Sequence, residues 1–517
     1  MKSHIVTRAA LLPIFLFCAQ WLSAQTSYPL EGQPHGGDRR GIYVSPEDAQ
    51  RIYNETHEVP RLYADPRTYI HNMELLGHVP GQFRNIGMMT VGGRRYIFGG
   101  GMAIDVTNPE EPMVVNRNAP PVGVEIAYNQ SLGKWILIQA HQCCGVDINV
   151  VQGREPFQTT PPPGTKVGVT FWDASDPANL VELSHFSTGP GSFGSRYDGN
   201  YYDGGRYAYL ASKLPGTRGQ PPFEATDPIL QILDLSDISN PREAGRWWVP
   251  GQMKGEEEAF REWPESERFL RQASEPWNPS WRNMYLYFHG PCIVPRRVED
   301  GGNRGYCAFS ALGMRLLDLT DVTQPKLIST VDISPPFDGG FPVHTVYPIP
   351  ERRLAIISGE TTQSDCMEGL SIPWVVDLRD ERYPMTIAAF PIPKPPAEAP
   401  YSDFCFRGGR VGTHAPQEFK APGKQRIDLM GFAFYDAGFR LFDISNPFRP
   451  EEVAWIVTPA GPHRGAEGAL IEWDRNIVHA ATDTGLYILS TPVLGEPVLG
   501  PLKPERWNAE GLNADAP

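Results

Sequence analysis

Short apolar runs that end in aspartate recur along the chain, and each is followed within a few residues by proline. Six copies share this form and occupy residues 102–105, 170–173, 231–234, 315–318, 374–377 and 440–443. A seventh copy, at 485–489 before Thr491-Pro492, lacks the aspartate. Apolar runs of this length bounded by turn residues predict β-strands, and a recurring unit predicts a repeat architecture.

Every repeat follows the same plan. The aspartate carboxylate can accept backbone N–H groups of the next turn, and proline presets the φ angle there. Another apolar strand follows, and two more precede the motif on either side of a tight turn, most clearly at 91–93, 203–205, 351–353 and 473–475. Four short antiparallel strands repeated seven times predict an all-β fold, a seven-bladed β-propeller of four-stranded blades.

The Asp-x-(Ser/Thr)-(Asn/Asp)-Pro phrase after a Leu/Ile/Val run resembles the LVIVD repeat, a family of exported or surface bacterial proteins. The resemblance extends over residues 84–492 and implies a propeller, but no particular activity, because propellers carry both scaffolds and unrelated enzymes. Residues 73–77 resemble the last strand of a blade and are expected to complete blade seven. We therefore expect an N-terminal extension at 25–72, a propeller at 73–495 and a tail at 496–517.

The repeats are unevenly spaced, and the largest insertion runs from about 250 to 283. Its Glu-rich stretch, which begins at Glu256, predicts one or two short helices. A lid over a functional site and a solvated decoration both remain open.

The first 24 residues have the features of a secretory signal peptide. Lys2 and Arg8 precede an apolar stretch at 9–17, and Ser23-Ala24 precedes polar residues. We expect cleavage after Ala24 and a periplasmic or secreted protein without an integral membrane segment. The net charge of −14 and the lack of a long basic run argue against nucleic acid as a partner.

Six cysteines follow the signal peptide, and an even number in an oxidising compartment favours disulfides. Cys292 and Cys307 flank a turn-rich stretch at facing positions of a hairpin, which predicts that they pair. Cys366 is predicted to pair with Cys405. For the adjacent Cys143 and Cys144, partners elsewhere, free thiols and a strained redox or metal-binding pair all remain open.

Propeller geometry predicts which residues meet at the axis, because the innermost strand begins, and the next strand ends, at the same mouth of the channel. Counting back about six residues from each tight turn selects seven residues, none of them apolar: Arg84, Glu125, Tyr197, His289, His344, His414 and Glu467. The ends of the second strands add His141, Lys213, Ser310, Glu360, Tyr435 and Asp483.

Three histidines and a glutamate from consecutive blades suit a divalent transition metal such as Fe, Cu, Zn or Mn. The predicted ligands are His289, His344, His414 and Glu467. The predicted catalytic residues for proton transfer are Glu360, Tyr197, Asp483 and His141. The predicted substrate-binding residues are Arg84, Lys213, Glu125 and Tyr435. A metal-free acid/base pocket and structural histidines remain open.

The sequence therefore favours an exported metal-dependent oxidoreductase that acts on a small organic substrate. Neither a Gly-rich phosphate loop nor a Gly-x-Ser-x-Gly elbow is present, which argues against nucleotide cofactors and serine hydrolysis. Two alternatives remain: a lyase or hydrolase acting on an acidic saccharide, and a non-enzymatic binding or adhesion scaffold of the LVIVD type.

Overall fold

The computed structural model describes residues 65–121, 124–143, 162–189, 192, 194–215, 228–266, 288–333, 341–361, 366, 371–407, 409–459 and 465–496. The predicted signal peptide, most of the predicted N-terminal extension and nearly all of the tail lie outside these residues. Within them, the chain forms seven antiparallel sheets.

The first half of the chain contributes strands β1 Tyr69–His71, β2 Glu74–Pro80, β3 Gly87–Val91, β4 Arg94–Gly99, β5 Met102–Asp105, β6 Met113–Asn116, β7 Val124–Asn129, β8 Lys134–His141, β9 Gly168–Asp173, β10 Val181–Phe186, β11 Gly194–Ser195, β12 Tyr201–Tyr202, β13 Tyr207–Lys213, β14 Ile229–Asp234 and β15 Arg242–Trp247. The second half contributes β16 Cys292–Ile293, β17 Arg304–Ala308, β18 Met314–Asp318, β19 Lys326–Val331, β20 Phe341–Ile349, β21 Leu354–Glu360, β22 Trp374–Asp377, β23 Met385–Ala389, β24 Leu429–Ala433, β25 Phe439–Asp443, β26 Glu451–Val457, β27 Ala466–Glu472, β28 Ile477–Thr482 and β29 Gly485–Ser490. One short helix, α1 Glu257–Glu262, lies in the predicted insertion.

These strands build a seven-bladed β-propeller, as the repeats predict. Strands β3–β6 form blade one, β7–β10 blade two, β11–β15 blade three, β16–β19 blade four and β20–β23 blade five. In blade three the innermost strand is split into β11 and β12, which both pair with β13. Blade seven consists of β27–β29 with β2 as its outer strand, which confirms the ring closure expected from residues 73–77.

Blade six, which contains β24–β26, departs from the regular plan at both edges. Strand β1 adds a strand outside β26, so the N-terminal region closes two neighbouring blades rather than one. At the inner edge, Pro416 bridges Phe432 of β24, and the amide of Gln417 donates to the Gly431 carbonyl at 2.8 Å. Beyond Gln417 the chain leaves the sheet and enters the central channel.

The aspartate of each repeat makes the turn that the sequence predicts. In all six copies a carboxylate oxygen accepts the backbone N–H of the residue two positions later, at 2.7–3.0 Å. The Asn or Asp three positions after each aspartate repeats the same contact, at 3.0–3.2 Å. The connection between the third and fourth strands therefore contains two consecutive turns, each closed by a hydrogen bond from a backbone N–H to a side-chain oxygen.

Both predicted disulfides form. Cys292 and Cys307 face each other across the β16–β17 pair, and Cys366 bonds to Cys405. Cys143 is also disulfide-bonded, whereas Cys144 lies outside the described residues, so the nature of that pair stays open. None of the described helices is long and apolar enough to span a membrane.

Candidate metal centre

Three histidines from blades four, five and six meet at the axis. The ring centres of His289 and His344 are 4.8 Å apart, and those of His344 and His414 are 4.5 Å apart. All three side chains are buried. Because the innermost strands of these blades begin at the same mouth of the channel, the three rings come into direct contact.

Local hydrogen bonds orient two of the imidazoles. The Nδ1 atom of His414 lies 2.5 Å from the backbone carbonyl of Glu467. Because a carbonyl only accepts, this contact assigns the proton to Nδ1 and leaves the lone pair on Nε2. The Nδ1 atom of His344 lies 2.8 Å from the hydroxyl of Thr345, while its Nε2 is buried without a hydrogen-bond partner among the described residues.

Glu360, at the end of β21, completes the cluster. Its Oε2 lies 2.7 Å from His289 Nε2, and its Oε1 accepts from the Tyr435 hydroxyl at 3.1 Å and from Arg410 Nη1 at 3.3 Å. Burial alone would raise the pKa of Glu360, but the hydrogen bond from His289 and the interactions with the neighbouring histidines hold it well below its usual range. Glu360 is therefore an ionised carboxylate with one oxygen facing the histidines.

Two sets of potential ligands share His344. The candidate ligand atoms of His344, Glu360 and His414 all lie within 4.8 Å of one another, and so do those of Asp198, His289 and His344. Asp198 is held by Arg196 through two hydrogen bonds of 2.8 Å. Burial raises its pKa, but the charge and hydrogen bonds of Arg196, together with interactions with His289 and His344, lower it further and keep the carboxyl ionised.

The histidines are neutral at physiological pH. Burial lowers the pKa of all three, and for His344 it does so to about 4, with the neighbouring His289 acting in the same direction. Neutral imidazole is the form that binds metal ions. The cluster therefore offers three neutral nitrogens and ionised carboxylates in a buried site.

Tyr435 occupies a strained backbone position beside the cluster. Its φ angle is +46°, in the left-handed region that bulky residues rarely adopt. Mutual backbone hydrogen bonds with Ala466, both 2.9 Å, hold it there, and its ring centre lies 5.1 Å from that of His414. The strain is localised where the side chain contacts Glu360, as is common at functional sites.

Other predicted site residues lie around the cluster but not in the ligand sets. The Glu467 carboxylate lies 3.6 Å from Arg84 Nε, so the contact of this residue with His414 is made by its backbone carbonyl. Arg84 and Arg196 both lie over the Tyr197 ring, at 5.9 and 5.7 Å from its centre. These contacts place Glu467, Arg84 and Tyr197 beside the cluster rather than among its candidate ligands.

Three further predicted site residues lie at or just after the ends of the second strands of blades two, three and seven. His141 lies with its Nε2 2.8 Å from Thr170 Oγ1, and its ring centre is 5.5 Å from that of His185. Lys213 and Asp483 are buried, and Asp483 belongs to neither ligand set that contains His344. Their predicted roles in catalysis and substrate binding stay predictions.

Residues 415–421, here called the crossing segment, reach from blade six to blades on the opposite side of the ring. Gln417 pairs in parallel with Ala469 of blade seven. Lys420 Nζ donates to the carbonyls of Tyr202 at 2.8 Å and Ile126 at 3.3 Å, in blades three and two. The same ammonium forms an ion pair with Glu125. The crossing segment therefore ties four blades together.

Sequence reasoning missed Asp198, Arg196, Arg410 and Lys420. Arg196 and Asp198 flank the predicted Tyr197, so an Arg-x-Asp phrase at the axial level was the available signal. Arg410 precedes the predicted His414 by four residues in a Gly-Gly-Arg sequence. Nothing near Lys420 in the sequence indicates that it reaches blade two, because its partner Ile126 is 294 residues away.

No family model matches this chain, and no curated protein matches it either. Among solved structures, it is similar to the β-propeller domain of Cps50 (Swd1) from Myceliophteria thermophila, at 10% identity and a TM-score of 0.44 over 81% of this chain and 99% of that one. It is also similar to the WD40 repeats of RRP9, at 8% identity and a TM-score of 0.42 over 82% and 100% of the two chains. A third similar structure is streptogramin B lyase, at 9% identity and a TM-score of 0.40 over 82% and 98%. Membership of the LVIVD family stays a prediction.

Proposed function

We propose that His289, His344, His414 and Glu360 hold a divalent transition metal, and that the protein is an exported metal-dependent oxidoreductase acting on a small organic substrate. The observation that carries this proposal is the buried Nε2 atom of His344, which has no hydrogen-bond partner among the described residues. Leaving such a group unsatisfied costs about 1–3 kcal/mol. A metal ion bound at this nitrogen removes that cost.

His344 and His414 are paired differently from a histidine with a structural role. His479 in blade seven has its Nε2 2.6 Å from the Glu472 carboxylate, and His289 is paired in the same way with Glu360. His344 and His414 instead contact neighbouring imidazoles and hydrogen-bond to the Thr345 hydroxyl and the Glu467 carbonyl, and burial lowers the pKa of all three axial histidines. Neutral imidazoles are poor proton donors at pH 7 but good metal ligands, which favours the metal centre over a metal-free acid/base pocket.

The ligand set indicates the class of metal and the work of the surrounding residues. Imidazoles with one carboxylate suit Fe, Cu, Mn or Zn, and a redox-active ion among these would supply oxidation chemistry with dioxygen as the oxidant. Tyr435 and Arg410 hold the second oxygen of Glu360 and fix its orientation. Arg84, whose side chain is 40% exposed, offers a cation to an anionic group of the substrate.

Metal content tests the first half of the proposal. The mature protein, purified without chelator, is expected to contain close to one equivalent of Fe, Cu, Mn or Zn. His344→Gln and His414→Gln should lose it, while the control His185→Gln should retain it. A wild-type protein that remains metal-free after reconstitution would leave a lyase, a hydrolase or a binding scaffold as the function.

Oxygen uptake tests the second half. Protein loaded with Fe(II), Cu(II) or Mn(II) should consume dioxygen with members of a panel of small organic substrates. The Zn(II)-loaded form, which binds metal but is redox-inert, should not. Equal uptake in the Zn(II) form, or none with any metal, would rule out the oxidoreductase.

A further inference from the structure

A cavity of about 80 Å³ is lined both by residues of the candidate ligand sets and by the crossing segment. His344 and Asp198 line it, together with Glu125 and, from the crossing segment, Gln417 and Glu418. A single cavity therefore contacts both candidate ligands and acidic residues of blade two and the crossing segment.

Its lining makes this cavity a place for water. A site needs about 10–15 Å³ and two or more polar partners to hold one water molecule. The carboxylates in its lining and the Thr345 hydroxyl supply those partners. The cavity therefore has room for a short chain of waters between Glu418 and Asp198, next to the candidate metal centre.

Glu418 is the carboxyl that can exchange a proton with this water. Its side chain is about one-quarter exposed, and one of its oxygens accepts the backbone N–H of Lys420 at 3.1 Å. The Lys420 ammonium is 4.0 Å away and is bound instead to Glu125 and two carbonyls. Burial raises the pKa of Glu418 to about 7, so it holds a proton part of the time at neutral pH.

The charged and titratable groups that face Glu418 belong to several elements. Lys420 shares the crossing segment, and the surrounding blades supply Glu125, Tyr197, Asp198, Tyr201, His344 and Tyr347. Of these, Asp198 remains ionised beside Arg196, and His344 remains neutral because of its burial. Burial also lowers the pKa of Lys420 to about 7, but Lys420 does not line this cavity. Glu418 is thus a carboxyl of the cavity lining that changes protonation near pH 7, and the hydrogen bonds found among the described residues do not join it to a candidate ligand.

We propose that Glu418 is the proton-exchanging group of the axial centre and acts through the water in this cavity. The inference rests on the proposed function, because it presupposes that the axial centre binds a substrate. The O–H bond of Glu418 breaks, the proton passes along the water chain to a basic atom of the bound substrate, and the remaining carboxylate takes up a proton from bulk solvent. No electron transfer is involved in this step.

Proton release on binding of Zn(II) tests the inference without any substrate. A divalent charge across the cavity lowers the pKa of Glu418, so zinc binding should displace its proton. Calorimetry in buffers of different ionisation enthalpy gives the number released for wild type, Glu418→Gln and the control Glu182→Gln. At pH 7 a half-protonated carboxyl contributes up to about half a proton, which Glu418→Gln should lack while binding zinc with unchanged stoichiometry. At pH 9 the difference should vanish.

The outcomes separate this inference from the proposed function. Equal proton release in wild type and Glu418→Gln at pH 7 would overturn the role of Glu418 while leaving the metal site intact. Loss of zinc binding in Glu418→Gln, with native circular dichroism, would also overturn it, because Glu418 would then be a ligand. Failure of the wild type to bind zinc would refute the metal site itself.

Discussion

Lys420→Met removes the ammonium that ties the crossing segment to blades two and three. The side chain of Lys420 is 5% exposed and its Nζ contacts the Glu125 carboxylate and two backbone carbonyls. Burial lowers the pKa of this ammonium, and the adjacent carboxylate stabilises its charged form. Methionine preserves most of the apolar stem but leaves Glu125 and both carbonyls without their cation.

The expected cost follows from the burial of the pair. Removing one partner of a buried ion pair leaves an uncompensated charge and costs about 3–5 kcal/mol. Lys166→Met is the matched control, because Lys166 lies 3.4 Å from Glu182 with both side chains more than 40% exposed. Exposed pairs contribute about 0–1 kcal/mol, so the two substitutions should differ several-fold in their effect.

Equilibrium urea unfolding in non-reducing buffer measures both costs on the metal-free protein. Adding Glu125→Gln to Lys420→Met should recover part of the lost free energy of unfolding, because the buried charge is then removed as well. A loss below about 1 kcal/mol for Lys420→Met, no larger than that of the control, would show that this ion pair does not anchor the crossing segment.

Three further predictions concern pH, the repeat turns and a disulfide. The stability of the metal-free protein should fall as pH drops from about 6.5 to about 4. The reason is that His344 in the unfolded chain takes up a proton in this range, whereas folded His344, with its pKa of about 4, does not. The urea midpoint should therefore change less with pH in His344→Gln than in the wild type. Asp443→Ala should cost about 1 kcal/mol, because the Ser445 amide loses its acceptor at 2.7 Å, whereas Asp443→Asn should be close to neutral, and equal unfolding free energies for the two variants would contradict the turn argument. Replacing Cys292 and Cys307 together by serine opens a 15-residue loop and should cost about 3 kcal/mol, and an unchanged urea midpoint would contradict that estimate.

The repeat architecture was predictable because its determinants are local. The carboxylate of each aspartate accepts a hydrogen bond from the backbone N–H two residues later, so both partners can be read from the sequence. The structure repeats this contact in all six copies. The Cys292–Cys307 pairing was predictable for the same reason, since the two residues face each other across one hairpin. The added strand β1 was missed because its partner β26 lies almost at the other end of the chain.

The sequence predicted which residues lie at the mouth of the channel, but not which of their atoms point toward the axis. Counting from the tight turns selected His289, His344 and His414, whose rings do meet. The same count cannot tell whether a side chain or a carbonyl points inward, and Glu467 presents its carbonyl to His414 while Glu360 presents its carboxylate to His289. The radial direction depends on the bend of each strand end, which a count of residues does not contain.

Anomalous diffraction at the absorption edge of the bound metal is the most direct test of the axial centre. A crystal of the metal-loaded protein should give one strong peak among His289, His344, His414 and Glu360, and the peak should be absent from His344→Gln. A peak at another position, such as beside His141 and His185, or no peak in a loaded crystal, would contradict the proposed metal centre.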